Sequence, residues 1–336
     1  MRIGILGAGS FGTALGIYAV HAGFEVRLWA RDPAVAEELG RERCNRRYLP
    51  DVELPAGLHP SSRLADLVDS DYVIAAVPSH GFREVVRSFL SLCPPQRPVV
   101  LISATKGVEA EHLARMSQVC FEEAVSADRD LRFAVLSGPS FAAELAAGVP
   151  TAAVIASEDT TLAREVQEYF STRVLRLYTS ADVAGVELGG TAKNVIAIAA
   201  GVLTGLGFGQ NTLAALITRG LHEITRLALA YGGQPRTLYG LAGLGDLVLT
   251  CTGGLSRNRQ AGLALAAGRS LDELERDTGM IAEGVRNSRA IVRLAERRGV
   301  ELPIAQQMAA VIYDRKQPRQ ALEELMLREL KSEAEL

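Results

Sequence analysis

The sequence predicts a doubly wound α/β domain followed by an all-helical domain. Short apolar runs alternate with helical patterns over residues 1–182, as in a mostly parallel sheet with helices on both faces. Over residues 183–336, apolar residues recur at helical spacing, alanine is frequent, and no run has the character of a strand. A chain of 336 residues is long enough for two domains, and we place the boundary close to Asp182.

The first predicted strand leads directly into a glycine-rich turn. The turn is Gly7-Ala8-Gly9-Ser10-Phe11-Gly12, and a helix is expected over 13–22. In dinucleotide-binding folds, the first glycine of this pattern permits the tight turn and the second lets the backbone approach a pyrophosphate. The third glycine allows the helix to pack closely on the strand. We therefore expect Gly7, Gly9 and Gly12 to form a dinucleotide site, with the pyrophosphate on the free N–H groups of the helix.

The end of the second predicted strand, 25–30, indicates which dinucleotide binds. An acidic residue about 20 residues beyond the turn would bind a ribose 2′-hydroxyl, whereas arginine suits the 2′-phosphate of NADPH. Arg31 stands at that position, and Asp32, followed by Pro33, is placed to cap the next helix. We favour NADPH. If Arg31 is only a solvated charge, NADH is accepted as well.

The remaining elements of the first domain complete a Rossmann-type alternation of strands and helices. The apolar runs end at turn residues such as Pro78 and Gly138, as buried parallel strands do. Further strands are predicted over 72–77, 99–103, 133–137, 151–156 and 173–178, and helices over 33–46, 82–90 and 111–125.

Two segments beyond strand ends carry candidate binding groups. Ligands of open α/β sheets bind beyond the carboxyl ends of the strands. Lys106 follows the strand at 99–103, and the segment 137–142 follows the next strand and opens a helix. We predict that Lys106 contacts substrate or cofactor, the alternative being an ordinary surface lysine.

Three segments of the helical domain carry polar groups suited to catalysis. Lys193 stands at the head of an uncharged stretch, where burial would lower its pKa from the usual value of about 10.4, as proton transfer requires. Asp246 lies in a glycine-flanked turn. Ser256-Arg257-Asn258 combines a hydroxyl, a cation and an amide at a helix start, a set suited to a phosphate dianion. The alternatives are a lysine that reaches solvent and simple helix caps at Asp246 and Ser256.

The uncharged stretch, 194–218, is long enough to span a membrane. Glycines and the polar pair Gln210-Asn211 interrupt it, so we predict a buried helix, a glycine-rich turn and a second helix, with no membrane span. The net charge of −3 argues against nucleic-acid binding. The four cysteines lack metal-ligand spacing, so no metal site is expected. Because the first strand begins at residue 2, we expect no signal peptide and a cytoplasmic location.

A series of short motifs occurs along nearly the whole chain in a characteristic order. They are Gly7-Ala8-Gly9-Ser10-Phe11-Gly12, Tyr48-Leu49-Pro50, 104–107, 137–142, Lys193-Asn194, 209–211, 218–220, 240–247, Thr250-Cys251, 256–258 and Glu283-Gly284. In this order and spacing the chain resembles the bacterial-type NAD(P)-dependent glycerol-3-phosphate dehydrogenases. It departs from the family's usual Gly-Ala-Leu-Lys-Asn pattern at Thr191-Ala192, which are small packing changes.

The resemblance implies interconversion of dihydroxyacetone phosphate and sn-glycerol 3-phosphate for phospholipid synthesis, by a homodimer. It implies Lys193 as proton donor and acceptor, and we expect Asn194 and Thr250 to orient Lys193 and Asp246. The cofactor contacts that it implies are Ser10, Phe11, Arg31, Tyr48, Lys106, Ala142, Arg257, Ile281 and Glu283. The implied substrate contacts are Lys106, Gly138, Ser140, Lys193, Asp246, Ser256, Arg257 and Asn258.

Two other functions remain open on the sequence. A Rossmann domain followed by a helical domain also occurs in ketopantoate reductases and in hydroxyacid and phosphogluconate dehydrogenases. Their motifs are absent here, and Ser256-Arg257-Asn258 favours a phosphorylated substrate. The second alternative is an NADPH sensor without catalytic activity. A lysine beside an aspartate argues against it, since a protein that only binds has no need of that pair.

Overall fold

Two units make up the part of the chain that the structure, a computed structural model, describes: residues 1–270, 273, 276, 282–330 and 332–333. The first unit comprises residues 1–109 and 114–183. The second comprises residues 110–113 and the described residues from 184 onward. Ile281, an implied cofactor contact, lies outside the described residues.

An eight-stranded sheet forms the centre of the first unit, in the order β10-β9-β8-β7-β6-β1-β2-β5. All its neighbours are parallel except β8 and β9, which are antiparallel, so the predicted mostly parallel sheet is confirmed. The stretch from β5 to β8 has the strand order of the Rossmann fold, with the reversal of order between β1 and β6. The strands are β1 (Arg2–Leu6), β2 (Glu25–Trp29), β3 (Cys44–Asn45), β4 (Leu49–Glu53), β5 (Leu58–Ser61), β6 (Tyr72–Ala75), β7 (Val99–Ser103), β8 (Leu131–Ser137), β9 (Thr151–Ala156) and β10 (Leu175–Ser180), with β3 and β4 forming a separate hairpin.

Helices pack around this sheet, and buried side chains such as Ile5, Ile17 and Leu28 join strands and helices in one core. The helix expected over 33–46 ends at Glu42, because Arg43 adopts a left-handed conformation (φ +49°) and a hairpin follows. The helix expected from 111 begins later, since the preceding residues form a loop. The helices are α1 (Ser10–His21), α2 (Pro33–Glu42), α3 (Phe82–Leu92), α4 (Met116–Ser126), α5 (Ala142–Ala146) and α6 (Thr160–Phe170).

The regular secondary structure among the described residues of the second unit is helical. Two of its helices, α7 and α11, touch backbone to backbone. A Cβ on Gly201 would lie 2.0 Å from the carbonyl oxygen of Arg259, and one on Gly262 would lie 2.0 Å from that of Ile198. This contact brings the start of α11 alongside the middle of α7. The helices are α7 (Val183–Gly205), α8 (Gln210–Ala230), α9 (Pro235–Leu238), α10 (Asp246–Thr252), α11 (Arg257–Ala266), α12 (Glu283–Glu296), α13 (Pro303–Tyr313) and α14 (Pro318–Met326), with a π-turn at Leu241–Gly245.

The α7 helix is long and apolar enough, by length and composition, to cross a membrane. Its most apolar window of 18 residues is entirely buried inside the protein. The predicted succession of a buried helix, a glycine-containing turn and a second helix is present, with the turn between Gly205 and Gln210. The helix therefore forms the core of the second unit and holds Lys193 at its centre.

Candidate active site

The glycine-rich turn between β1 and α1 has the geometry that a dinucleotide needs. Gly7 has a φ of +114°, and a Cβ there would lie 2.7 Å from the carbonyl oxygen of Ala76. A Cβ on Gly12 would lie 1.9 Å from the carbonyl oxygen of Gly7, so only glycine lets the helix come this close. At Gly9, no described atom lies within 4 Å of the Cβ position, which leaves the backbone open to a ligand. Partly buried Ser10 and Phe11 begin the helix. These features fit a dinucleotide pyrophosphate.

The residues beyond β2 divide into one exposed cation and one helix cap. Arg31 is exposed, as a residue that reaches for a 2′-phosphate must be. The Oδ1 atom of Asp32 accepts the N–H of Ala34 at 2.9 Å, so Asp32 caps α2 as predicted. Tyr48 is partly buried in the β3–β4 hairpin, with the guanidinium of Arg47 5.3 Å from its ring centroid.

Asn45 connects that hairpin to the glycine-rich turn. Its buried Nδ2 donates to the carbonyl oxygen of Ala8 at 3.0 Å and to Oγ1 of Thr13 at 2.7 Å. Asn45 was not predicted from the sequence. Its only sequence signal is an uncharged amide within an arginine-rich segment, which does not indicate a partner more than 30 residues away.

Three polar residues meet beyond β7 and β8 in the first unit. The Nζ atom of Lys106 donates to the carbonyl oxygen of Gly138 at 3.1 Å, and Oγ of Ser140 donates to the same oxygen at 3.0 Å. Gly138 has a φ of +143°, and a Cβ there would lie 2.9 Å from Cα of Ala153, so the position requires glycine. Ala142 follows at the start of α5 and is partly buried. The structure thus brings Lys106, Gly138 and Ser140 together.

Lys193 forms the buried centre of the second unit. It is 5% exposed, and its Nζ forms an ion pair with Oδ1 of Asp246, which is 1% exposed. Nζ also donates to Oγ1 of Thr250 at 2.7 Å, and Thr250 donates to the backbone oxygen of Asp246 at 2.6 Å. Because Asp246 and Thr250 are one helical turn apart on α10, both face the ammonium group. The lysine does not reach solvent and Asp246 is not a helix cap, so both alternative interpretations are wrong.

The π-turn at Leu241–Gly245 sets the direction from which α10 approaches Lys193. A Cβ on Gly243 would lie 2.1 Å from the carbonyl oxygen of Leu238, so the turn can close only with glycine there. Single π-turns are rare, and those that occur are frequently at functional sites. Burial among these groups raises the pKa of the neighbouring Cys251 thiol to about 12, which keeps it protonated.

A chain of amides joins three of the predicted motifs. Nδ2 of Asn258 donates to Oδ1 of Asn194 at 2.9 Å, and Oδ1 of Asn258 accepts the backbone N–H of Gly284 at 2.9 Å. The N-cap residue of α12, Ala282, makes no side-chain cap, so Asn258 satisfies one helix N–H from a distance. A Cβ on Gly284 would lie 2.6 Å from the backbone oxygen of Asn194. The motifs around Asn194, Asn258 and Gly284 therefore form one packed cluster.

The other residues of these motifs have distinct settings. Ser256 is buried, and its Oγ accepts the N–H of Arg259 at 3.2 Å, so it does cap α11; its hydroxyl hydrogen can still donate to a ligand. Arg257 is exposed in the first turn of that helix. Oε2 of Glu283 accepts a hydrogen bond from Nδ2 of Asn287 at 2.8 Å, a partner that was not predicted from the sequence.

No group of three or more His, Cys, Asp or Glu side chains suited to a metal ion occurs within the described ranges. All four cysteines are free thiols.

A dinucleotide-type turn and a buried lysine–carboxylate pair define, as a class, a nicotinamide-dependent oxidoreductase. Family models narrow that class. The model described as NAD-dependent glycerol-3-phosphate dehydrogenase N-terminus matches residues 2–163, and the corresponding C-terminus model matches residues 182–323. The chain belongs to the NAD-dependent glycerol-3-phosphate dehydrogenase family.

Individual relatives agree over the full length. The chain is 47% identical over 334 residues to a glycerol-3-phosphate dehydrogenase (NAD(P)+) of Anaeromyxobacter sp. (strain K), covering 99% of this chain and 100% of that protein. It is 48% identical over 335 residues to the protein of that name from Nitratidesulfovibrio vulgaris (strain Hildenborough), with coverage of 99% and 100%. The crystal structure of glycerol-3-phosphate dehydrogenase from Coxiella burnetii superposes with a TM-score of 0.91 at 38% identity, covering 97% and 99% of the two chains. The resemblance predicted from the motifs is confirmed.

Proposed function

We propose that the chain interconverts dihydroxyacetone phosphate and sn-glycerol 3-phosphate with a nicotinamide cofactor. The observation that carries the proposal is the buried ion pair of Lys193 and Asp246, in a chain whose full length matches enzymes named for this reaction. In this proposal residues 1–182 form the dinucleotide-binding domain, and residues 183–336 carry the catalytic group.

When bound, the reduced nicotinamide supplies a hydride to the C2 carbonyl of the ketone. Lys193 donates a proton to the carbonyl oxygen as negative charge develops there, and accepts it in the reverse reaction. Asp246 and Thr250 hold the ammonium group in one orientation, so no reorganisation is needed when the charge forms. The buried setting strengthens this interaction, because the effective dielectric constant is lower than in water.

The phosphate of the substrate binds at a distance from the reacting carbonyl. Arg257 at the start of α11 offers a fixed cation, while Ser256 and Asn258 add a hydroxyl and an amide N–H. Oδ1 and Nδ2 of Asn258 each make one bond within the protein, so the second N–H of the amide is the donor left for a phosphate oxygen. Binding energy from this end positions the carbonyl. The proposed substrate contacts are Lys106, Gly138, Ser140, Lys193, Asp246, Ser256, Arg257 and Asn258.

The cofactor is proposed to be NADPH in preference to NADH. Support comes from the exposed guanidinium of Arg31 and from Asp32, whose carboxylate is engaged as a helix cap rather than pointing to a ribose. The proposed cofactor contacts are Gly7, Gly9, Ser10, Phe11, Gly12, Arg31, Tyr48, Lys106, Ala142, Arg257, Ile281 and Glu283.

Three broader features of the proposal come from the family resemblance. We propose a cytoplasmic homodimer that supplies sn-glycerol 3-phosphate for phospholipid synthesis. Light scattering coupled to size-exclusion chromatography tests the oligomeric state, and a single-chain mass would contradict it.

The decay of NADPH absorbance on mixing the purified protein with dihydroxyacetone phosphate tests the reaction. Ketopantoate and NADH serve as parallel comparisons. We expect the absorbance to decay with dihydroxyacetone phosphate and not with ketopantoate, and to decay faster with NADPH than with NADH. Decay only with ketopantoate would identify a different reductase. Binding of NADPH without decay would indicate a sensor rather than an enzyme.

A further inference from the structure

Arg83, which lies outside the sequence motifs, forms an ion pair with the segment that carries Lys106. It lies on α3, and its side chain is 19% exposed. Its Nε bonds to Oε1 of Glu109 at 2.5 Å and its Nη2 to Oε2 of the same carboxylate at 2.8 Å. This two-bonded fork is the strongest and most directional form of ion pair. Glu109 is 14% exposed, so solvent screens the pair little.

The same guanidinium is held on its other side by α4. Nη1 of Arg83 bonds to Glu123 at 2.7 Å, and Nη2 bonds to Glu122 at 2.8 Å. Glu123 is 4% exposed, and its Oε2 also accepts a hydrogen bond from Nε of Arg87 at 2.8 Å. The carboxylates, Glu109 first among them, raise the pKa of Arg83 above its usual range. Arg83 is therefore a fixed charge anchored on two helices, against which Glu109 is held.

The segment between β7 and Glu109 is fixed at both ends. At its start, Oγ1 of Thr105 donates to the carbonyl oxygen of Val77 at 2.7 Å. At its end, Glu109 donates its backbone N–H to the carbonyl oxygen of Ala114 at 2.9 Å, and its carboxylate forms an ion pair with Arg83. Lys106 lies between these anchors. A long lysine side chain places its ammonium only as well as its backbone is placed.

We propose that Arg83 is a positioning residue, which acts through Glu109 to set the location of the Lys106 ammonium. The inference rests on the proposed contact of Lys106 with substrate and cofactor. In this proposal Arg83 acts only through Glu109 and touches neither ligand. Loss of the fork would let the segment 104–109 shift, and small displacements of a binding group carry large kinetic penalties.

Glu109 and Glu122 bind the same guanidinium, and substituting each of them in turn tests the proposal. Glu109→Gln weakens the fork on the Lys106 segment, whereas Glu122→Gln weakens a single bond from the same guanidinium to α4. We expect Glu109→Gln and Arg83→Lys to lower kcat/KM for dihydroxyacetone phosphate by about tenfold, mainly by raising KM. Both should also speed deuterium exchange of the amides in 104–109. Glu122→Gln should change neither quantity.

Arg132 supplies a matched control for general destabilisation. It bonds to Asp159 and Glu165, each at 2.9 Å, in the same unit but away from Lys106 in the chain. Arg132→Lys should reduce stability without altering KM or exchange in 104–109. Equal effects of all four variants would overturn the proposal, as would wild-type KM or wild-type exchange in Glu109→Gln.

The two readouts separate this inference from the proposed function. If the wild-type protein does not reduce dihydroxyacetone phosphate, the proposed function fails, and the exchange measurement still decides whether Arg83 orders 104–109. If exchange rises in Glu109→Gln while KM is unchanged, the reaction stands and the positioning role is refuted.

Discussion

Glu223 allows a quantitative test of how burial tunes a charge in this fold. It lies on α8, 4% exposed, and its carboxylate accepts the N–H groups of Ile304 at 2.6 Å and Ala305 at 3.2 Å in the first turn of α13. Burial raises the pKa of Glu223 from the usual 4.5 to about 7, against the opposing effects of those N–H groups and of Arg226 and Arg219.

The raised pKa makes the folded protein bind a proton that the unfolded chain releases. Between pH 4.5 and about 7 the native state holds more protons at Glu223, so this group makes the free energy of unfolding fall as pH rises through that window. One pKa unit corresponds to about 1.4 kcal/mol, so the full difference corresponds to about 3 kcal/mol. This loss of unfolding free energy is absent below pH 4.5 and complete above pH 7.

Glu223→Gln removes the titration while keeping the shape and one acceptor oxygen. The substitution carries a pH-independent penalty of about 1 kcal/mol, because one N–H of α13 loses its partner; this penalty is the net effect only below pH 4.5, where Glu223 is protonated in both states. Relative to wild type, it should therefore gain about 3 kcal/mol between pH 4.5 and pH 8. Urea unfolding followed by circular dichroism at several pH values measures this difference. A constant difference across the range would refute the reasoning, as would one that grows in the opposite direction.

Three substitutions test the proposed site directly. Lys193→Ala should lower kcat by about 10³-fold in a protein with an unchanged circular dichroism spectrum, since a general acid is lost; near-normal turnover would contradict the proton-donor role. Arg257→Ala should raise KM for dihydroxyacetone phosphate about 10- to 100-fold and lower kcat, because charge-assisted bonds to the phosphate are lost. An unchanged kinetic profile would mean that the phosphate binds elsewhere. Arg31→Ala should raise KM for NADPH about tenfold and leave that for NADH nearly unchanged, whereas equal losses would disprove a 2′-phosphate contact.

Local patterns in the sequence predicted the elements whose causes are local. The apolar run 99–103 became β7 with the same limits, and the glycines of the first turn have the geometry expected of them. The antiparallel direction of β9 was not predicted, because it depends on pairing with β8 rather than on the composition of the strand. The helix predicted after Pro33 was too long for a related reason. Nothing in the composition around Arg43 indicates a left-handed residue.

The candidate site shows the same division. Lys193 and Asp246 were each identified from their surroundings, and their pairing required only that α7 and α10 meet. Arg83 was missed because its partners lie 26 to 40 residues away, and surface helices commonly carry arginines in such patterns. Glu223 was missed because no sequence pattern indicates that a carboxylate will cap a helix begun 80 residues later.

The two outer strands of the sheet, β5 and β10, bear on how the protein behaves when crowded. An unprotected sheet edge offers free backbone groups to a strand of another molecule and so promotes aggregation. On β5, which is only four residues long, Pro60 lacks an N–H group. On β10, the exposed guanidinium of Arg176 lies 5.4 Å from the ring centroid of Tyr178. Both edges therefore carry a feature that disfavours the addition of a strand from another molecule.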